Sequence, residues 1–342
     1  MEKVISMIIV LSICVAMSCK KAGGDAGPGG ISPDTAFFAR GADVSWLTQM
    51  ESSGYSFYDS TGTKMDCLQI LKSLGINSIR LRAWVNPQDG WCNTSDLLTK
   101  AIRAKNLGFR IMIDFHYSDV WADPGHQTKP AAWVNLSFDS LSNTLYSYTL
   151  RVMDTLKANG VNPSWVQVGN ETNDGMLWED GRASTHMQNF AALVTAGYRA
   201  VKAVDDSAKV IVHISNGFDN SLFRWVFDSL TDYGAKWDAI GMSLYPSTSN
   251  WSTLDEQCLS NMNDMAARYG KPVMVSEIGM DVTQASSCRS FIADIVAKTK
   301  SVTGGLGVFY WEPESYNWQN YGLGAFDNTG KPTVALYGFT DP

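Results

Sequence analysis

The sequence predicts a single (β/α)8 barrel, and two observations carry that prediction. From Gly41 to the C-terminus, short runs rich in Val, Ile and aromatic residues alternate with amphipathic stretches of helical length. Eight β-then-α units follow one another, and their strands are apolar on both faces, as a parallel sheet covered by helices requires. Eight such units in one chain close naturally into a barrel. The nearest alternative is a doubly wound dinucleotide-binding sheet, which would carry G-x-G-x-x-G after its first strand, and none follows here. No break in composition marks a second domain.

In order, the strands read as 41–46 (GADVSW), 78–84 (SIRLRAW), 109–116 (FRIMIDFH), 165–171 (WVQVGNE), 209–215 (KVIVHIS), 238–245 (DAIGMSLY), 271–277 (KPVMVSE) and 306–312 (LGVFYWE). Between them, helices are expected in MDCLQILKSLG, DLLTKAIRAKNLG, LSNTLYSYTLRVMDTLKANG, MQNFAALVTAGYRAVKAV, LDEQCLSNMNDMAARYG and FIADIVAKTK. Several of these close on glycine, which takes the left-handed conformation of a helix C-cap without steric cost.

Apolar residues make up 45% of the 342 and charged residues 18%, so the chain can bury a large core and is not disordered. A formal charge of -7, with no Lys/Arg run past the N-terminus, argues against nucleic acid as the partner. Twelve Trp and thirteen Tyr supply flat faces that pack cores and also stack on ring-shaped ligands. Residues 1–19 place Lys3 before an apolar run from Val4 to Ala16 that is too short to span a bilayer and reads as a signal peptide. Its ending, AMSC, resembles a loose bacterial lipobox with Cys19 as the lipidated residue; ordinary secretory cleavage nearby is the alternative. Residues 20–36 are Gly/Pro-rich and aperiodic, a flexible tether. The barrel then occupies 37–342, and contact with a membrane is expected only through the lipid at Cys19. Export favours paired cysteines. Cys67, Cys92, Cys258 and Cys288 allow three pairings, of which Cys67–Cys92 and Cys258–Cys288 are the local choices, and no C-x-x-C suggests a metal.

A barrel of this kind does its chemistry at the C-terminal ends of its strands. Those ends read Asp43, Arg80 and Arg82, Asp114 and His116, Asn170 and Glu171, His213, Tyr245, Glu277, then Trp311 and Glu312. They are polar where the runs before them are apolar, and polar groups are buried in such numbers only when hydrogen-bonded or functional. Glu171 and Glu277 end the fourth and seventh strands, which face each other across an eight-stranded barrel. Two carboxyls about 5 Å apart are what a retaining glycoside hydrolase needs, one as nucleophile and one as an acid that becomes the base.

The segments VGNET (168–172), VSEIG (275–279) and YWEP (310–313) resemble the glycoside hydrolase clan of (β/α)8 enzymes with glutamates on strands four and seven. GADVSW at 41, IRLRAWVNP (79–87) and above all DFHYSDVWADPGHQTKPAAW (114–133) resemble the endo-β-1,4-galactanases of glycoside hydrolase family 53, from about Gly41 to the C-terminus. The resemblance implies a retaining endo-hydrolase of β-1,4-galactan that uses no cofactor, with Glu171 as acid/base and Glu277 as nucleophile. Beside them, Asn170 can hold a sugar 2-OH, Arg80 can lower the pKa of Glu277, and Tyr245 can orient it. His116 and His213 are expected to bond sugar hydroxyls or Glu171 rather than a metal. Asp119 reads as a sugar-hydroxyl acceptor, with a helix or turn cap as the alternative. Of Trp84, Trp121, Trp311 and Trp318, the second and third are expected to stack on galactose rings.

Two segments depart from the family pattern. Some bacterial members carry long insertions after strands seven and eight that are tied by calcium; EIGMDVTQASSC and EPESYNWQNYGLG are short, so no calcium site is expected. Within Glu312 and Glu314, the first belongs to YWEP and a structural role is favoured. The rival readings are another clan hydrolase acting on mannan or glucan, against which the third strand's segment argues, and a glycan-binding lipoprotein without catalysis, which would be expected to lose one of the two glutamates. Four Asn-x-Ser/Thr sequons (Asn93, Asn135, Asn170, Asn250) are coincidental beside a lipobox.

Overall fold

The computed structural model describes residues 38–340; the leader, Cys14, Cys19 and the tether lie outside the described residues. Eight parallel strands close into a barrel in sequence order: β1 (Ala39–Asp43), β2 (Ser78–Ala83), β3 (Arg110–Phe115), β4 (Trp165–Val168), β5 (Lys209–Ile214), β6 (Ala239–Leu244), β7 (Val273–Ile278) and β8 (Gly305–Trp311), which pairs back onto β1. The helices are α1 (Leu47–Ser52), α2 (Cys67–Ser73), α3 (Thr94–Asn106), α4 (Phe138–Ala158), α5 (Ala183–Val204), α6 (Asn220–Asp232), α7 (Trp251–Tyr269) and α8 (Ala285–Ser301). Helix α6 is absent from the sequence reading because its Phe, Trp and Val run reads as readily as a strand. The spacing of Phe223, Val226, Phe227 and Leu230 buries one helical face, and Asp219 caps Leu222 N–H.

The two-residue period of the strands decides what the barrel holds. One set of side chains faces the helices: Ile79, Ile113, Val166, Val212, Ile240 and Val275 belong to the large core between sheet and helices. The alternate set faces inward. Ala39, Met112, Trp165, Ile211, Ala239, Met274 and Phe309 form a separate apolar cluster that plugs the barrel. Two or four residues further along the same faces the inward residues turn polar: Asp43, Asp114, Gln167, His213 and Ser243, all buried. The site is thus the top of a filled barrel and not a pore.

Two irregularities aim the site. Strand β4 stops at Val168, three residues before the expected end, because Gly169 takes φ 86° and carries the chain out of the ladder; Glu171 follows at φ 44°. Asn170 and Glu171 therefore stand on a turn above the strand. In β7 the register against β6 runs Met242↔Val275 and then Ser243↔Glu277, so Ser276 is an extra residue and Glu277 sits opposite Ser243. A bulge of this kind re-aims a side chain at the rim of a barrel.

The expected disulfides are not formed. Cys67, Cys92, Cys258 and Cys288 are free and buried. Each thiol packs in its own surroundings: Cys92 accepts from Arg82 at 3.4 Å, Cys258 lies 3.6 Å from the Met242 sulfur, and Cys288 lies 3.7 Å from the Tyr310 hydroxyl. Burial raises the pKa of all four, which keeps them as inert thiols.

The floor of the site generates a prediction. A Cβ on Gly41 would lie 2.0 Å from Cδ1 of Phe309, inside the plug. Gly41→Ala should lower stability by about 1–3 kcal/mol through overpacking, read as a fall in the chemical denaturation midpoint. An unchanged midpoint would mean that the plug can shift, and that it does not hold the polar layer above it rigidly.

Candidate active site

Arg80 is the first residue to place, because the others are arranged around it. Its side chain is fully buried, inward-facing on β2. The guanidinium contacts Asp43 Oδ2 at 2.7 Å, Asp114 Oδ2 at 2.9 Å and Glu277 Oε1 at 2.8 Å. It also donates to the side-chain oxygens of Asn170 at 2.9 Å and Gln167 at 3.3 Å. One cation thus ties together β1, β3, β7 and both ends of the β4 segment. Asp114 shows the balance of forces: burial alone would raise its carboxyl, but Arg80 and then His116 bring it below its ordinary value.

Glu277 receives the Tyr245 hydroxyl at 2.9 Å in addition to Arg80. Arg80 does pull the Glu277 carboxyl down, as expected, but it does not set the net position. Burial lifts this carboxyl above its ordinary value; the guanidinium pulls it down, and the charges of Glu171 and Asp114 push it up again. Arg80 divides its charge among three carboxylates, so it does not by itself hold Glu277 low. Glu171 is likewise raised by burial, opposed by a 2.6 Å hydrogen bond from Ser243. Around neutral pH the two carboxyls together tend to keep a proton, and the hydrogen bonds decide where it goes. Glu277 has the Arg80 cation 2.8 Å from Oε1 and a hydrogen bond from Tyr245 on Oε2, which favour its carrying the negative charge, whereas Glu171 has a hydrogen bond from Ser243.

These groups open into a cavity of about 220 Å³ lined by His116, Trp121, Asn170, Glu171, Tyr245, Glu277 and Trp311, with Ala122 and Asp123 besides. Arg80 and His213 are fully buried beneath it. Neither histidine has a ring nitrogen to spare for a ligand, which corrects the expectation of contacts to sugar hydroxyls. His116 accepts at Nδ1 from Trp84 Nε1 at 3.2 Å and Ala122 N at 3.1 Å, and so donates from Nε2 to Asp114 at 3.0 Å. His213 meets Glu171 by accepting the Glu171 backbone N–H on Nδ1 at 3.4 Å, and through Ser243. Burial lowers the pKa of both rings, so they are neutral. Asp119 is a loop staple: it accepts from Asn86 N and Ala131 N, both at 2.9 Å, and joins the loops after β2 and β3. The cap alternative is the one that fits.

The aromatic wall is larger than the sequence suggested. Trp121 packs edge-on against Trp46, Trp84 and Trp311 at 5.6, 5.2 and 5.7 Å between centroids, and Trp311 meets Tyr321 at 4.8 Å. The Arg82 guanidinium lies 4.1 Å from the Trp121 ring and is paired with Glu312 at 3.2 Å. Glu312 therefore acts structurally, anchoring the cation beneath the wall. Trp318 packs against Tyr55 instead, at 5.3 Å, away from the cavity. The residues missed in sequence are Gln167, Ser243, Trp46 and Tyr321. A polar residue between apolar neighbours inside a strand, as in WVQV and GMSL, is the signal that marks the first two. Among the described residues no cluster of His, Cys, Asp and Glu is arranged to hold a metal ion.

Comparison with known proteins places this geometry. The sequence profile described as glycosyl hydrolase family 53 matches residues 39–337. A probable arabinogalactan endo-β-1,4-galactanase A of Neosartorya fischeri is 35% identical over 317 residues, covering 84% of this chain and 86% of that protein. The arabinogalactan endo-β-1,4-galactanase of Thermothelomyces thermophilus is 34% identical over 316 residues, covering 85% and 93%. A solved fungal β-1,4-galactanase superposes with a TM-score of 0.83 at 31% identity, over 89% of this chain and 99% of that one.

The charge arrangement predicts the consequence of removing its centre. Arg80→Met leaves three buried carboxylates without their counter-charge and should cost about 3–5 kcal/mol at neutral pH. Because Asp114 is depressed in the folded protein, its contribution is present above the ordinary carboxylate pKa and lost as pH falls through the folded value. The variant should therefore lack that acid-side loss and approach the parent as pH falls. Equal denaturation midpoints at neutral pH would show that Arg80 is not the counter-charge.

Proposed function

The chain belongs to glycosyl hydrolase family 53, and on that footing we propose that it is a retaining endo-β-1,4-galactanase acting on the galactan of type I arabinogalactan. The observation that carries the proposal is one cavity holding two carboxyls in opposite hydrogen-bond environments. Glu277, met by Arg80 and Tyr245, is the nucleophile; Glu171, met by Ser243, is the acid/base.

In the first step a Glu277 oxygen attacks the anomeric carbon while Glu171 gives its proton to the glycosidic oxygen, and the aglycone leaves as an alcohol. The ester at Glu277 carries no charge, so Glu171 no longer has an anion beside it and ionises more readily. It then takes a proton from water, which attacks the anomeric carbon and returns Glu277 as a carboxylate. Asn170 spends Nδ2 on Ala122 O at 2.8 Å and Oδ1 on Arg80, leaving its second amide hydrogen for the sugar 2-OH. Trp121 and Trp311, neighbours in one wall of the cavity, are the rings for galactose to stack on.

The apolar run before AMSC supports export and lipid attachment at Cys19, with residues 20–36 as the tether and 37–342 as one catalytic domain. On this reading the enzyme works outside the cytoplasm of a bacterium, with a polysaccharide as its partner and the lipid at Cys19 as its contact with the membrane. Cys19→Ala should abolish incorporation of radiolabelled palmitate by expressing cells; label retained at the parental level removes the anchor.

Timed chromatography of products from linear β-1,4-galactan, beside β-mannan and β-glucan, tests the activity. An early ladder of galacto-oligosaccharides from galactan alone is the expected result. Release from mannan or glucan corrects the substrate, and no product from any of them favours glycan binding without catalysis. Glu277→Gln should leave less than about a hundredth of the turnover with folding intact, and Glu171→Gln should cost about 10²–10⁴-fold. A Glu277→Gln enzyme of near-parental rate would remove that residue as nucleophile.

A further inference from the structure

Between the acid/base and the barrel wall runs a chain of hydrogen bonds whose direction can be worked out. His213, on β5, has Nδ1 within 2.9 Å of Gln167 Nε2, 3.4 Å of the Glu171 backbone nitrogen and 3.0 Å of Asn170 Oδ1. The backbone N–H can only donate. The Gln167 amide is oriented by its other contacts: its oxygen accepts from Arg80, and its nitrogen gives to the Asp114 carboxylate at 2.7 Å. Its two hydrogens serve Asp114 and His213 Nδ1, and Asn170 Oδ1 accepts from Arg80 at 2.9 Å. Nδ1 is therefore the acceptor, and the proton of this neutral ring is on Nε2. Nε2–H donates to Ser243 Oγ at 2.8 Å, which leaves the Ser243 hydroxyl to donate to Glu171 Oε1 at 2.6 Å.

From this geometry we propose that Ser243, with its hydrogen-bond direction set by His213, is a positioning residue that reserves Oε1 of Glu171 as a permanent acceptor and so forces the acid proton onto Oε2. One hydroxyl then serves both halves of the reaction. It bonds the carbonyl-like oxygen of the protonated acid and, more strongly, the same oxygen of the carboxylate. It also opposes the upward pKa shift that burial imposes on Glu171. The charged groups facing Glu171 are Arg80 from β2, Asp114 from β3, Asp123 from the loop after it and Glu277 from β7; His213 and Tyr245 face it neutral. Ser243 is the direct donor among them to the Glu171 carboxyl.

The inference rests on Glu171 being the acid/base, and its test separates the two. In Ser243→Ala the ionised form of Glu171 loses its donor, so its pKa rises. The alkaline limb of kcat/KM on galactan, which reports the acid of the free enzyme, should move to higher pH by roughly one unit. KM should hold, because Ser243 is buried and does not line the cavity, and Ser243→Thr should restore the parental limb. Independently of activity, ¹⁵N spectra of the imidazoles should show the Nε2–H tautomer for His213, assigned by its absence in a His213 variant among the chain's 4 histidines. An Nδ1–H ring overturns the inference. So does a Ser243→Ala profile that superimposes on the parent after scaling, whatever its height. If the parent itself releases nothing from galactan, the proposed function fails, and the nitrogen spectra still decide the direction of the chain.

Discussion

One buried guanidinium organises this molecule's chemistry. Arg80 meets three carboxylates and two side-chain amides drawn from β1, β3, the β4 segment and β7. Removing a charge from water is costly, and attraction repays the cost only where geometry and further hydrogen bonds are both good. Here the guanidinium has five oxygen partners, but its charge is outnumbered by the acids it serves. The excess of negative charge has a use. It leaves more carboxylates than counter-charges, so the pair Glu171–Glu277 tends to keep a proton, and a double displacement needs one proton to start.

The second guanidinium from the same face of β2 has a different task. Arg82 lies below the tryptophan wall, paired with Glu312 and 4.1 Å from the Trp121 ring. Aromatic rings that meet only edge-on leave gaps at their corners. A flat cation fills such a gap and is attracted to the ring faces. Two arginines two residues apart thus divide the site: the first sets the protonation of the carboxyls, and the second stiffens the surface on which a sugar would lie. The plug of Met112, Trp165, Ile211 and Phe309 carries both.

The fold was legible because parallel strands buried on both faces leave long apolar runs, and the carboxyls were legible because they end those runs. What was not legible depends on partners far apart in the chain. Asp119 looks like any acid after a histidine, yet its oxygens close two loops. His116 and His213 lie at strand ends, but their nitrogens are used within the wall. The bulge at Ser276 cannot be read from VMVSEI, since it exists only against the register of β6 and β8. The cysteines were paired by sequence distance, although a disulfide is decided by spatial distance.

That bulge and the turn after β4 explain why the two glutamates differ. Glu277 is held inside β7, opposite Ser243 of β6, with its carboxyl between the Arg80 cation and the Tyr245 hydroxyl. In the proposed role of nucleophile, a carboxyl so placed keeps its position as the anomeric carbon approaches. Glu171 stands beyond its strand at φ 44°, a left-handed conformation that a non-glycine residue adopts only when the surroundings impose it. Thr172 N–H, bonded to His213 O at 2.8 Å, supplies that imposition from the neighbouring strand. His213 therefore fixes the turn through its carbonyl and the carboxyl through its ring. A proton carrier must serve a leaving oxygen and then a water from nearly the same position. With the backbone bonded to His213 and one carboxyl oxygen to Ser243, the other oxygen is the part left to change state.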